Sequence, residues 1–187
     1  MPGLGHNNGP TMEPGESWRR YAWGKARTQL MPVLPIEVVR LRVKRAAEIG
    51  LDYKTYASIR AASGHDVIAF MFSTNALRLL APQPSLPSDR QAKLAALVDT
   101  GRVALTRAPL TPEQVLGLAP DLIDHAARAP RPFAAWGESR KALLAAISAQ
   151  KWPADRVVMV GDMSDERLWA QSARLGYYLP ADRYFAA

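Results

Sequence analysis

Polar and acidic residues follow two apolar stretches of the sequence. The stretches are Asp66–Phe72 and Arg156–Val160, and short apolar runs of this kind are typical of buried strands in parallel sheets. The residues that come after them are Ser73, Thr74 and Asn75 in the first case, and Asp162, Asp165 and Glu166 in the second. Because ligands bind at the carboxyl ends of parallel strands, these groups are candidates for a site. Asp162 or Ser164 could equally cap the following helix with no metal present.

The same stretches resemble parts of the haloacid dehalogenase superfamily. The sequence from Lys141 to Glu166 is similar to that superfamily's lysine-bearing helix, buried strand and Gly-Asp motif, and Val67–Asn75 is similar to its second motif. The resemblance implies that Asp162 and Glu166 bind a magnesium ion and that Ser73 or Thr74 holds a substrate phosphate. It also implies that Lys141, rather than Arg140, neutralises the phosphate.

One essential part of that superfamily's machinery is missing from the sequence. Its nucleophile and acid are an Asp-x-Asp pair at the end of its first strand, and this chain contains no Asp-x-Asp. Asp52 does not replace it, because it follows a helical pattern and has Lys54 at the position of the second aspartate. Without a carboxylate nucleophile, the covalent route has no first step. We therefore expect a haloacid dehalogenase-like (HAD-like) scaffold without catalytic activity. The alternative is a magnesium-dependent phosphohydrolase whose nucleophile is not identified from the sequence.

A second stretch, residues 44–60, resembles a helix-turn-helix DNA-binding motif. Ala46, Gly50 and Ile59 match the small residue, the turn glycine and the branched residue of that family. The resemblance assigns base contacts to one group of residues and phosphate contacts to another. These are Tyr53, Lys54, Thr55 and Ser58 for the bases, and Arg40, Lys44, Arg45 and Arg60 for the phosphates. An ordinary helical hairpin packed on the sheet explains the same pattern.

The charge of the chain favours an anionic partner. Its formal net charge is +7, and residues 1–60 carry ten Lys and Arg against five Asp and Glu. A basic segment of this kind attracts nucleic acid or an acidic protein surface, although it also serves solubility. The chain has no cysteine and three histidines, which excludes thiolate chemistry and makes a zinc site of neighbouring side chains improbable.

Hydrophobic periodicity predicts a three-layer α/β domain of Rossmann-like type with a parallel sheet and an N-terminal helical element. Strands are predicted at Asp66–Phe72, Arg102–Leu105 and Arg156–Val160, and alternate with helices. The predicted organisation is a flexible tail over 1–16, a basic helical element over 17–63, whose first helix begins after Ser17, and the α/β domain over 64–187.

These patterns together predict a non-catalytic or regulatory protein whose basic helices bind nucleic acid or an acidic partner. A protein interaction module is a further alternative. No apolar run reaches the roughly 20 residues that a membrane span needs, and the first 30 residues lack the apolar stretch of a signal peptide, so we expect a cytoplasmic protein. We expect no cofactor unless the resemblance to the dehalogenases holds, in which case magnesium is expected. The sequence does not predict an oligomeric state.

Overall fold

The computed structural model describes residues 34–186 of the chain. The chain divides into two compact units, Met1–Val39 and Arg40–Ala187. Of the first unit, only residues 34–39 are described, so the predicted tail over 1–16 and the predicted helix after Ser17 lie outside the described residues. The second unit contains the sheet and the site.

Five parallel strands form one sheet in the second unit. They are β1 (Ala69–Ser73), β2 (Gly101–Thr106), β3 (His125–Arg128), β4 (Val157–Gly161) and β5 (Tyr177–Pro180). The strand order is β3-β2-β1-β4-β5, so β1 is central and Phe72 lies opposite both Ala104 and Val160. The chain moves outward from β1 to β3 and then returns to the other side of β1. In such sheets, ligands bind at the point where the strand order reverses, which here lies between β1 and β4.

Helices cover both faces of the sheet. They are α1 (Ile36–Glu48), α2 (Tyr53–Ser63), α3 (Ser88–Ala95), α4 (Pro112–Leu118), α5 (Trp136–Ser148), α6 (Ser164–Ser172) and α7 (Ala181–Phe185). Phe70 and Phe72 of β1 pack in one core with residues of α1, α2, α3, α4 and α7. Ala69 and Met71, which point to the opposite face, pack in a second core with α5 and α6. The predicted α/β architecture with a parallel sheet between two helical layers is therefore confirmed.

The two N-terminal helices belong to the same compact unit as the sheet from Arg40 onward. Ala46, Tyr56 and Ile59 are each about 1% exposed and share a core with Phe70 and Phe72. The predicted boundary at residue 63 between the basic helical element and the α/β domain stays a prediction. The apolar faces of these helices are buried against the sheet, and a basic composition does not reveal where such a face packs.

The two strands at the edges of the sheet were not predicted from the sequence. β3 has the sequence HAAR and β5 has the sequence YYLP, and each contains only one buried residue. A lone histidine close to Asp121 and Asp124 is expected on a surface helix, but His125 begins β3, so that expectation is wrong. Edge strands have one neighbour and are shorter, which removes the continuous apolar run that identifies a central strand. Among residues 34–186, no helix is long and apolar enough to cross a membrane.

Candidate functional site

The residues that follow β1 lie at the carboxyl edge of the sheet, and two of their hydroxyl groups are used by the fold. The backbone N–H of Ala76 donates to Ser73 Oγ at 3.0 Å, and the backbone N–H of Arg107 donates to Thr74 Oγ1 at 3.2 Å. Both side chains are buried. Ser73 and Thr74 therefore stabilise the loops that leave β1 and β2.

Glu166, in the first turn of α6, is the central acid of this edge. Its side chain is 0% exposed, and its Oε2 accepts hydrogen bonds from the backbone N–H groups of Asp162 at 2.6 Å and Met163 at 3.1 Å. Its Oε1 accepts from Asn75 Nδ2 at 3.1 Å. Glu166 thus caps the start of α6 and connects it to the end of β1.

Gly161 makes this arrangement possible. A Cβ atom at Gly161 would lie 2.6 Å from Glu166 Oε2 and 2.8 Å from the ring of Tyr178, both closer than real contacts allow. The glycine of the Gly-Asp pair is therefore required by the approach of the Glu166 carboxylate. The Tyr178 hydroxyl donates to the carbonyl of Met163 at 3.3 Å, and burial, followed by the charge of Glu166, raises the pKa of Tyr178.

Arg107 supplies the positive charge that balances the acids. It follows β2 directly, and its Nη1 lies 3.0 Å from Asp165 Oδ2 and 3.5 Å from Glu166 Oε1. Its guanidinium carbon is 5.0 Å from the centre of the Trp169 ring, within the range of a cation–π contact. The side chain is 20% exposed, so the ion pairs are partly shielded from water. Arg107 was not among the predicted site residues, although its position directly after a strand was a usable signal.

The acids at this edge do not form a metal cluster. No group of three or more His, Cys, Asp or Glu side chains within residues 34–186 is arranged to hold a metal ion. Asp162 is exposed, whereas Glu166 is buried and already bonded to four donors. The structure thus brings Ser73, Thr74 and Glu166 to one edge together with Asp162, and places the Arg107 guanidinium between Asp165 and Glu166.

Lys141 lies away from this edge group. It is exposed on α5, in a shallow depression lined by residues of α5 itself. The buried residues of α5 include Ser139, Leu143 and Ala146, and Lys141 is two positions from Ser139, which turns it outward. Within the described part of the chain, no contact joins Lys141 to Ser73 or Glu166. Arg140 instead donates to the carbonyl of Ser172 at 3.1 Å.

Residues of the predicted helix-turn-helix divide into buried and exposed groups. Arg45 donates to the carbonyl oxygens of Val67, Val98 and Asp99, each at 3.1 Å. Thr55 is buried and its hydroxyl accepts from Arg183 at 2.8 Å. These two side chains therefore stabilise the fold.

The remaining predicted DNA contacts lie on or near the surface of α1 and α2. Tyr53 packs partly against the core, and Arg60 lies 3.9 Å from Asp66. The exposed members of the predicted set are Arg40, Lys44, Lys54 and Ser58. Only part of the predicted DNA-binding face is thus available to a partner.

Comparisons with known proteins add no relative to this picture. The chain matches no protein-family model, no curated protein and no solved structure. What the site can do is therefore inferred from its own contacts.

Proposed function

We propose that this chain is a non-catalytic α/β protein that acts by binding an acidic protein partner. The observation that carries the first part is the ion pairing of Arg107 with Asp165 and Glu166 at the carboxyl edge. The Arg107 guanidinium neutralises both carboxylates. Unlike a bound metal ion, it belongs to the chain and cannot dissociate. The acids then serve structure rather than catalysis.

The end of β1 supports the same proposal. β1 is the first strand of the described chain, and in the haloacid dehalogenase superfamily the first strand carries the Asp-x-Asp pair. We infer that the chain has a scaffold of this type, in which Ser73 and Asn75 stand at the positions of the two aspartates. This differs from the second-motif assignment drawn from sequence. A serine whose Oγ is bonded to Ala76 N–H and an amide bonded to Glu166 provide no carboxylate nucleophile.

The charge of the surface supports an acidic partner. The chain has a net charge of +7, and exposed cations occur on α1 and α2, at the end of β3 and on α5. They include Arg40, Lys44, Lys54, Arg128, Arg131 and Lys141. A protein partner is favoured over duplex DNA because Arg45 and Thr55, which a helix-turn-helix would present to DNA, are bonded inside the fold.

The catalytic part of the proposal is tested with p-nitrophenyl phosphate and magnesium chloride. The purified chain should release no more phosphate than buffer alone, and Asp162→Asn should behave identically. Magnesium-dependent hydrolysis that Asp162→Asn abolishes would show that the edge is an active phosphohydrolase site.

The binding part is tested with poly-L-glutamate and a mixed-sequence DNA duplex as probes. Binding of poly-L-glutamate should weaken as sodium chloride is raised, because the attraction is between exposed charges. Absence of binding to poly-L-glutamate at low salt, or binding that prefers the duplex and is lost in Lys54→Ser, would contradict the proposal of an acidic protein partner.

A further inference from the structure

An apolar groove with no assigned role lies between α5 and α6. It has a volume of about 270 Å³, and its lining includes Phe133 from the turn before α5, Trp136 and Ser139 from the start of α5, and Leu168, Trp169 and Ser172 from α6. We call this the α5–α6 groove. Trp136 is 56% exposed, Leu168 is 54% exposed, and Phe133 is fully exposed. Exposed apolar side chains that gather around a concave surface mark an interaction site, whereas isolated ones do not.

The backbone at Phe133 shows that this exposure has a cost. Its φ is +60°, in the left-handed region that bulky residues rarely adopt. The ring gains no burial within the described chain to offset the strain. The turn is held by the N–H of Ala134 donating to the carbonyl of Arg131 and by the ion pair of Arg131 with Glu138 at 2.8 Å. Strain that persists on a fully exposed aromatic residue is typical of a binding site.

Charges around the groove favour an acidic occupant. Arg140 lies at the edge of the groove, since it donates to the carbonyl of Ser172, a lining residue, at 3.1 Å, and in the described part of the chain no carboxylate pairs with it. Asp165, which also lines the groove, pairs with Arg107, and Glu138 at the start of α5 pairs with Arg131. The rim therefore includes a cation, Arg140, without a carboxylate partner, on a chain whose net charge is +7.

We propose that the α5–α6 groove binds the apolar face of an acidic amphipathic helix from a partner protein. A groove between two helices accepts a helix whose apolar residues recur at i, i+3, i+4 and i+7. Acidic residues on the flank of that helix would face Arg140. The proposal rests on the proposed function, because it names the partner surface that the basic protein recognises.

Two other occupants fit less well. A nucleic acid presents a uniformly charged backbone, which does not match a groove lined by Phe133, Trp136 and Leu168. A second copy of this chain carries the same charge of +7 and would be repelled. An amphipathic helix fits better, because its apolar face matches the groove lining and its acidic residues match Arg140 at the rim.

The test uses a fluorescein-labelled synthetic peptide of about 18 residues, roughly five helical turns, with leucine at the apolar positions and glutamate elsewhere. Fluorescence anisotropy should show saturable binding to the full chain. A peptide of the same composition with the leucine order scrambled should bind at least tenfold more weakly, and so should one with lysine in place of glutamate. Equal binding of the ordered and scrambled peptides would overturn the groove.

Matched variants locate the binding surface. Leu168→Lys and Trp136→Ala should each weaken binding at least tenfold, as expected for central aromatic and aliphatic contacts. Leu41 is an exposed leucine on α1, and Leu41→Lys should change the affinity for the ordered peptide by less than twofold. If Leu41→Lys loses peptide binding and Leu168→Lys keeps it, the peptide does not bind in the α5–α6 groove. The proposed function would not be contradicted by that result. If neither poly-L-glutamate nor any peptide binds the unaltered chain, the proposed function fails as well.

Phe133→Asn separates binding from folding. Asparagine tolerates the left-handed region better than phenylalanine, so the variant should keep its Tm or gain about 2 °C. Its affinity for the ordered peptide should fall at least fivefold. A lower Tm would show that the Phe133 ring stabilises the fold, and an unchanged affinity would show that it does not contact the peptide. Either result would contradict its assignment to the binding site. Sedimentation should give the monomer mass for the unaltered chain and for every variant. If the unaltered chain is a dimer and Trp136→Ala is a monomer, the groove binds a second copy of the chain instead.

Discussion

Replacing Arg107 with methionine tests whether the carboxyl edge depends on an internal ion pair. The substitution keeps an apolar stem over Trp169 and removes the guanidinium from Asp165 and Glu166. Removing one partner of a fully buried ion pair costs about 3–5 kcal/mol. Here Glu166 keeps its bonds to Asn75 and to two backbone N–H groups, and Asp165 is 34% exposed. We therefore expect a loss of about 2–3 kcal/mol in the free energy of unfolding.

Urea denaturation followed by circular dichroism measures this loss. With a slope of about 2.5 kcal/mol per molar urea, the midpoint of Arg107→Met should fall by roughly 1 M. Arg128→Met is the control, since Arg128 is the last residue of β3 and is exposed, and should change stability by less than about 0.5 kcal/mol. Adding Glu166→Gln to Arg107→Met should recover about 1 kcal/mol, because a neutral amide needs no cation. If Arg107→Met is as stable as the unaltered chain, the ion pair is not what holds the edge.

Three further substitutions test other contacts by the same urea assay. Asp52→Ala should cost about 1 kcal/mol at neutral pH by removing the N-cap of α2, whose Oδ1 accepts from Thr55 N–H at 2.9 Å. Hydrogen bonds from the side chain and then from the backbone N–H of Thr55 lower the pKa of Asp52 from its usual 3.8, so the stabilisation is present above that pH and disappears as the pH falls through the lowered pKa; an equal loss in acid would contradict this origin. Arg45→Met should cost about 2 kcal/mol because three carbonyls lose their donor, whereas Lys44→Met, with a side chain 77% exposed, should be neutral; equal effects would refute the assignment of Arg45 to the fold. Gly176→Ala should cost about 2 kcal/mol or more, since a Cβ there would clash with the carbonyl oxygen of Asp155, and a neutral result would contradict that close approach.

The central part of the fold could be predicted from the sequence because its residues are buried on both faces. β1 and β4 are buried at every position, which produces the continuous apolar runs that identify them. The helical pattern of the sequence covers Glu138–Gln150, whereas α5 spans Trp136–Ser148, a shift of two residues at each end. β3 and β5 could not be recognised because their few buried side chains leave no apolar run.

The candidate site could be predicted only as far as strand ends can be predicted. The rule that groups meet after parallel strands predicts that Ser73, Thr74 and Glu166 lie at one edge, and applied to β2 it adds Arg107, which contacts Thr74 and Glu166. The rule does not predict in which direction a side chain on a helix points. Lys141 was expected near the phosphate, yet it faces outward because its phase on α5 differs from that of the buried residues Ser139 and Leu143.

Asp165 connects the carboxyl edge to the α5–α6 groove. Its carboxylate pairs with Arg107 at 3.0 Å on one side, and the residue lines the groove on the other. An unpaired carboxylate in the groove would repel an acidic helix, and the ion pair with Arg107 removes most of that repulsion. The arginine that occupies the acids of the edge therefore also makes the neighbouring groove acceptable to an acidic partner. Under the two proposals, Arg107 therefore has two roles, because it ion-pairs with the acids of the carboxyl edge and neutralises Asp165 beside the groove.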